Sequence, residues 1–384
     1  MRGPVGTVYS AGLEVIIVLW MLLTGCWQSF SDLPTLDFSE VPYSNPLMAS
    51  ESAVISVFDT VLDCPDGQGT RFAAVYPADF DGQAPVAIVM HSGVFDYLLE
   101  GTLDGIHYQN PSRLDRGWAV SKIWETLGLS LSSVDPSEVN LGALPAALTD
   151  AGFVQLYPGN CWGDLWHNEE GAQDNDYSLE SALARNGRTI AGWMVQSIVD
   201  PAFAEARGFS IPVAINPNEI YLIGMGEGGR GVVELLLRDN TPPVAGILID
   251  SSPDDLTPFI SDPGTFVDQQ KGIERIFGTD NLDNITDWSL LALAGQGSLP
   301  DRVGFIYSDS DPRVPVDTVA MTAEVLRQLP GTWVDNRNES AHVFLNSDIE
   351  LAQAAVDYLL TGVVPPEGVG GNTGGLDTGA DTGN

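Results

Sequence analysis

The segment Glu219-Ile-Tyr-Leu-Ile-Gly-Met-Gly-Glu-Gly-Gly-Arg-Gly-Val-Val-Glu-Leu-Leu-Leu237 runs from a short apolar, β-branched stretch through a glycine-dense turn into a helical pattern. Such a strand, turn and helix has two uses for glycine: strand and helix pass close to one another, and the residue at the apex is forced into a backbone conformation that side chains resist. Outward from this segment, short apolar runs recur at Ala53 to Leu62, Arg71 to Tyr76, Val86 to Met90, Phe153 to Tyr157, Val244 to Ile249 and Val303 to Tyr307. Several are continuous, as strands covered on both faces of a parallel sheet require. Helical spacing separates them, at Gly142 to Asp150, Ile190 to Arg207, Gly231 to Leu237, Thr318 to Leu329 and Ile349 to Leu360. Strand and helix therefore alternate, which predicts an α/β fold with a mostly parallel central sheet and helices on both faces. Phe95 to Asn140 and Pro253 to Pro300 exceed ordinary loops and predict insertions over the C-terminal ends of the strands.

The turn falls in register with G-x-S-x-G, with Gly224, Glu227 and Gly228 in place and Gly226 where the serine would stand. In this respect the chain resembles the α/β-hydrolase-fold superfamily of serine esterases and prolyl-oligopeptidase-like enzymes, whose elbow carries the nucleophile. Three more stretches match that family in its chain order. His91-Ser92-Gly93-Val94-Phe95 is similar to the loop that lends backbone N–H groups to the oxyanion hole, together with the N–H of the residue after the nucleophile, here Glu227. Asp311-Pro-Arg-Val-Pro315 resembles the turn bearing the catalytic acid, and Ser340-Ala-His-Val-Phe344 the loop bearing the histidine. The resemblance implies that His342 accepts a proton while Asp311 fixes the tautomer of its ring. Asp309, two residues earlier, is a rival acid. With glycine at position 226, an attacking oxygen is missing from the elbow. Ser92 and Ser308 are the nearest substitutes by loop position.

The same turn also fits G-x-G-x-x-G through Gly224, Gly226 and Gly229, with Asp250 ending the next strand. In a dinucleotide-binding protein those glycines admit a pyrophosphate at a helix N-terminus, and the acid holds a ribose hydroxyl. Past the fourth strand, Trp162, Asp164, Trp166 and His167 form a loop able to stack on a sugar or an aromatic group, or simply to pack an insertion. Neither H-x-x-x-H nor C-x-x-C occurs, so no metal site is expected.

The 384 residues carry a formal charge of −36, and Lys122 and Lys271 are the only lysines. That balance argues against nucleic acid or anionic headgroups as partners. Residues 1–25 read as a secretory signal: Arg2, an apolar run from Val15 to Leu23, then Thr24-Gly25 before Cys26. Leu23-Thr24-Gly25-Cys26 resembles the lipobox of bacterial lipoproteins, which implies acylation of Cys26, a bilayer as partner and an address in the bacterial cell envelope, at the outer membrane or cell surface. Cys64 and Cys161 then form an even pair in an oxidising compartment, consistent with one disulfide. Residues 26–50 read as a flexible spacer, 51–361 as the hydrolase-like domain, and 362–384 as a Gly, Asp and Thr-rich tail unable to bury a core.

These readings converge on an exported lipoprotein whose hydrolase-like domain binds a small molecule or peptide bearing a carbonyl or carboxylate, with catalysis absent or much weakened and no cofactor implied. The alternatives are an ester or peptide hydrolase using a displaced nucleophile or a His-activated water, and a dinucleotide-binding protein.

Overall fold

The computed structural model describes residues 41–43, 47–49, 53–59, 71–78, 82–90, 142–158, 188–237, 241–261, 286–287, 289–312, 314–366 and 368–369. All belong to one compact unit, Phe38–Asn384. Its strands are β1 (Val41–Tyr43), β2 (Ala53–Asp59), β3 (Arg71–Pro77), β4 (Ala84–Met90), β5 (Val154–Pro158), β6 (Ile215–Met225), β7 (Gly246–Asp250), β8 (Val303–Tyr307) and β9 (Thr332–Asn336). They form a sheet in the order β1-β2-β3-β5-β4-β6-β7-β8-β9. The first three pairings in that order are antiparallel and the other five parallel.

Strands β4, β7 and β8 are buried along their whole length and β6 from Ile220 onward, which explains their unbroken apolar runs: Ile88, Leu222, Leu248 and Phe305 are completely covered. Each such side chain contributes about 1.5–3 kcal/mol relative to exposure. On one face Ile88, Leu222, Ile247 and Phe305 share a core with Met194 and Val195 of α2 (Arg188–Val199), Val232 and Leu235 of α4 (Glu227–Leu236), Leu290 and Leu293 of α6 (Leu290–Gln296), and Ala323 and Leu326 of α7 (Ala320–Leu326). The opposite face is covered by α1 (Ala143–Asp150) and α8 (Ile349–Thr361), which also pack on each other. Helix α8 turns Leu351, Ala352, Ala355, Val356, Tyr358 and Leu359 inward at helical spacing. Asp348 caps its start by accepting from Leu351 N–H at 3.0 Å, and Gly362 ends it at φ 71°. The architecture is α/β-hydrolase-like: a mostly parallel sheet with helices on both faces, and a sharp strand-to-helix turn after β6.

Four features differ from the sequence expectation. Ile190 to Arg207 is broken into α2 and α3 (Pro201–Arg207), because Asp200 is extended and caps α3 while Pro201 starts it. Strand β9 was not expected. Its burial alternates, since an edge strand covers less, and inward Trp333 and Asp335 give it little apolar signal. Ordered pairing begins before residue 51: β1 joins β2, because the antiparallel edge of β2 offers backbone partners that composition does not reveal, and Ala49 N–H donates to the Asp150 side chain at the end of α1, 2.8 Å from Oδ2. At the other end Arg337 donates to the carbonyl of Val369, so the tail is held for its first residues. Of the two long insertions, only α5 (Thr257–Ser261), α6 and their flanks fall among the described residues.

Candidate active site

Register brings the functional loops to one end of the sheet. Met90 pairs with Gly224, Met225 with Asp250, Asp250 with Ile306, and Tyr307 with Asn336. The loops after β4, β6, β7, β8 and β9 thus leave side by side from the strand C-termini, where ligands of open α/β sheets bind.

Gly226 sits at the apex between β6 and α4 with φ 54° and ψ −125°. An L side chain rarely adopts this conformation, and holding one there costs of order 1–3 kcal/mol. The turn is tied by Gly226 N–H donating to the Asp250 carbonyl at 2.8 Å and by Gly229 N–H donating to the Gly226 carbonyl at 3.1 Å. Gly224 and Gly229 serve packing. A Cβ on Gly224 would lie 2.5 Å from Gly229 Cα, and one on Gly229 would lie 2.4 Å from Ser252 Cβ. Glu227 begins α4, so its backbone N–H lies at the helix start.

Asp311 and His342 meet. His342 Nδ1 lies 2.9 Å from Asp311 Oδ2 and 3.2 Å from Oδ1. The Asp311 side chain is almost wholly buried and that of His342 is 13% exposed. Val314 N–H donates to Asp311 Oδ1 at 3.1 Å, which fixes the carboxylate from its own turn. In the neutral imidazole, this contact places the proton on Nδ1 and the lone pair on Nε2, the arrangement of a general base. The rival Asp309 is exposed and accepts instead from Asn336 Nδ2 at 2.8 Å.

Ser308 is corrected as a substitute nucleophile. Its hydroxyl donates to the Glu339 carbonyl at 2.7 Å and accepts from the N–H groups of Glu339 and Ser310 at 3.0 and 3.1 Å. Its one proton and both lone pairs are used in bracing the chain after β9. Asp250 is likewise corrected as a ribose-binding acid. It is completely buried, and its carboxylate accepts from Leu345 N–H at 2.8 Å, from Ser251 Oγ at 2.9 Å and from Phe344 N–H. Burial pushes it up to about 6, against the lowering effect of these bonds. His91, Ser92, Gly93 and Val94, the loop of Trp162, Asp164, Trp166 and His167, and Cys26, Cys64 and Cys161 lie outside the described residues, as does the side chain of Glu227.

No protein-family model matches the sequence, and comparison with characterised proteins finds no match. Solved structures of hydrolases do match. A sugar hydrolase from Lactococcus lactis matches at 12% identity and TM-score 0.45, over 84% of this chain and 97% of that one. The acylaminoacyl peptidase of Pyrococcus horikoshii matches at 14% and 0.44, over 79% and 38%. Oligopeptidase B from Trypanosoma brucei matches at 14% and 0.45, over 80% and 36%. The chain therefore spans under two fifths of either peptidase's length.

Two groups that motif reading passed over hold this end together. Arg337 is a buried cation whose guanidinium reaches Asp335 at 3.3 Å, Glu339 at 3.4 Å and Asp348 at 3.1 Å, and which stands over the Phe344 ring. Its backbone N–H donates to Tyr307 O at 2.8 Å, so the approach to the His342 loop is fixed against β8. Ser251 accepts from Val343 N–H at 3.0 Å. A lone arginine in the polar run Asp335 to Ser340, and two serines following an apolar strand, are the only traces these groups leave in the sequence.

Proposed function

We propose that the chain is an exported lipoprotein, anchored through acylated Cys26, whose α/β-hydrolase-like domain binds a small carbonyl- or carboxylate-bearing ligand without acyl-enzyme chemistry. The observation that carries the non-catalytic part of this reading is Gly226, which lies at φ 54° and ψ −125° in the strand-to-helix turn and has no side-chain oxygen, beside a hydrogen-bonded Asp311–His342 pair. Covalent acyl transfer needs an attacking oxygen next to its base, and a base alone does not replace it. What the elbow still offers is the backbone N–H of Glu227 at the start of the ten-residue α4, a favourable place for a carbonyl or carboxylate oxygen. The resemblance implies a second N–H from the loop of His91, Ser92, Gly93 and Val94. His342 supplies a further hydrogen bond, and the Trp162, Asp164, Trp166 and His167 loop is a candidate for contact with the rest of the ligand.

The oriented His342–Asp311 pair also favours a second reading, hydrolysis of an ester or peptide bond by a water that His342 activates. Loss of the serine nucleophile alone costs on the order of 10⁶ in kcat in a complete triad. Turnover by this route is correspondingly slow.

One pair of measurements separates the two. The purified chain and its His342→Ala variant are assayed on short acyl esters, and binding without catalysis gives equal background rates. A rate that disappears in the variant rejects the non-catalytic reading in favour of activated water. In parallel, Gly226→Ser is exposed to a serine-directed phosphonate. Labelling from undetectable to near stoichiometric is expected, whereas a folded and unlabelled variant rejects the assignment of Gly226 to the nucleophile's place.

A Cys64–Cys161 disulfide is part of the same proposal. Asp59 pairs with Arg71, and Phe72 with Pro158, so the segments that carry the two cysteines leave the sheet at the same end. An even count of cysteines beyond the lipidated one fits an oxidising compartment.

A further inference from the structure

Three loops carry the groups of the candidate site; two of them, and the strand that leads into the other, are tied to the same two residues at the end of β7. Gly226 N–H at the elbow donates to the Asp250 carbonyl at 2.8 Å. Ser251 N–H donates at 2.9 Å to the carbonyl of Ile306 in β8, the strand leading to Asp311. From the third loop, the three residues after His342 all point their N–H groups here: Val343 to Ser251 Oγ at 3.0 Å, Phe344 to the Asp250 carboxylate, and Leu345 to Asp250 Oδ2 at 2.8 Å. Ser251 Oγ closes the set by donating to Asp250 Oδ1 at 2.9 Å.

Two backbone conformations show what this arrangement resists. Ser251 lies at φ 54° and Val343 at φ 62°. The left-handed region is a rare place for a β-branched residue such as valine, and it persists only where surrounding bonds over-determine it. The turn at Val343 aims the preceding residue, His342, at Asp311. Without its bonds to 250 and 251, the loop has reason to relax toward an ordinary conformation and swing the imidazole away.

We propose that Asp250 and Ser251 are positioning residues that hold the His342 imidazole against Asp311 and in register with the elbow. Asp250 and Ser251 are 0% and 1% exposed, which leaves them no surface to offer a ligand and assigns them a role through His342. The inference rests on the reading of His342 as the working group of the site, but its test needs no ligand. A buried carboxylate gathering consecutive N–H groups fixes a loop more tightly than neutral acceptors do, because charge-assisted bonds are roughly twice as strong.

The deciding variant is Ser251→Gly, since glycine suits φ 54° and only the hydroxyl is lost. The readout is the proton on His342 Nδ1, observed by NMR in the ¹⁵N-histidine-labelled full chain and assigned among its four histidines by His342→Ala. The expected result is a slowly exchanging Nδ1–H in the parent that broadens beyond detection in Ser251→Gly while the unfolding midpoint holds or rises. Asp250→Asn, which keeps one oxygen for Leu345 N–H, is expected to weaken the signal without abolishing it. Placed in the Gly226→Ser background, Ser251→Gly should slow phosphonate labelling about 10²-fold, the scale expected for an ångström of misplacement. A purely structural serine leaves the Nδ1–H in place, and an unchanged Nδ1–H in Ser251→Gly overturns the proposal. Ser251→Gly decides alone where Asp250→Asn does not fold. Failure of folded Gly226→Ser to label, with the Nδ1–H still dependent on Ser251, rejects the assignment of Gly226 to the nucleophile's place and leaves the positioning role standing.

Discussion

Asp250 holds a charge that its burial disfavours, and the effect is measurable. Burial raises it to about 6 from an ordinary 3.8. Below pH 3.8 the carboxyl is protonated whether the chain is folded or not, and it contributes no pH dependence. Between about 4 and 6 the folded chain keeps a proton that the unfolded chain has released, so stability falls as pH rises. The full penalty is about 3 kcal/mol, from roughly two pH units at 1.36 kcal/mol each. The expected outcome is that urea midpoints of the parent fall relative to those of Asp250→Asn across this window, with parallel curves above pH 7. Parallel curves throughout would place Asp250 in a wetter setting than its burial implies. The role of this residue also marks the limit of what the sequence discloses. Asp311 and His342 stand in short motifs with distinctive neighbours, and both can be picked out by eye. Asp250 was visible only as an acid ending a strand, because its partner Leu345 lies 95 residues away. With no pairing known, the dinucleotide fingerprint was an equally lawful explanation of the same residue. The burial of its carboxylate decides against that explanation.

Among the elements, the β6–α4 unit was the most legible and β9 the least. Glycine density at 224 to 231 announces a close approach, and the approach is tighter than the motif alone requires. Helix α4 rests on the end of β7 through Gly229, where an added Cβ meets Ser252 Cβ at 2.4 Å and Ile249 Cγ2 at 2.8 Å. These neighbours are short, and one belongs to a strand fixed on both sides, so neither can yield far. Gly229→Ala is therefore expected to destabilise the chain by about 1–3 kcal/mol, the usual cost of overpacking, rather than stabilise it as alanine does in an exposed helix. Chemical denaturation checks this, and a neutral or stabilised variant shows that α4 moves off the sheet without cost. Strand β9 escaped notice for the opposite reason. A five-residue edge strand needs only alternate burial, and its inward pair, Trp333 and Asp335, includes a charge, paired with Arg337 at 3.3 Å, that no apolar pattern would flag. The break at Asp200-Pro201 was written in the sequence as a helix cap followed by proline, but the apolar period continues across it and conceals the change of axis. Periodicity finds buried faces; it does not find where one face ends and another begins.

For the whole molecule, the α/β class followed from strand and helix alternation, whereas the layout of the site depended on which strands are neighbours, and composition carries no information about that. Charge and anchoring belong to this scale too. A chain of net charge −36 is repelled by an anionic bilayer, so a surface address needs a hydrophobic tether rather than electrostatic attraction. One acyl chain binds reversibly and several hold firmly, and the stretch before Cys26 is similar to those that receive several. Partition between detergent-rich and aqueous phases tests the anchor directly: the parent should enter the detergent phase, and Cys26→Ser, retaining its signal, should stay in the aqueous phase. Intact mass adds the covalent answer, because the processed chain should be heavier than residues 26–384 by its lipid. The same sample settles the remaining cysteines. With the Cys26 sulfur in thioether linkage, alkylation without reductant should modify no thiol, and alkylation after reduction should modify Cys64 and Cys161 together. Reactive thiols in the unreduced chain reject the bridge, and a Cys26→Ser variant that still enters the detergent phase rejects the lipid anchor. The two results are independent, since the proposed bridge and the proposed lipid involve different cysteines.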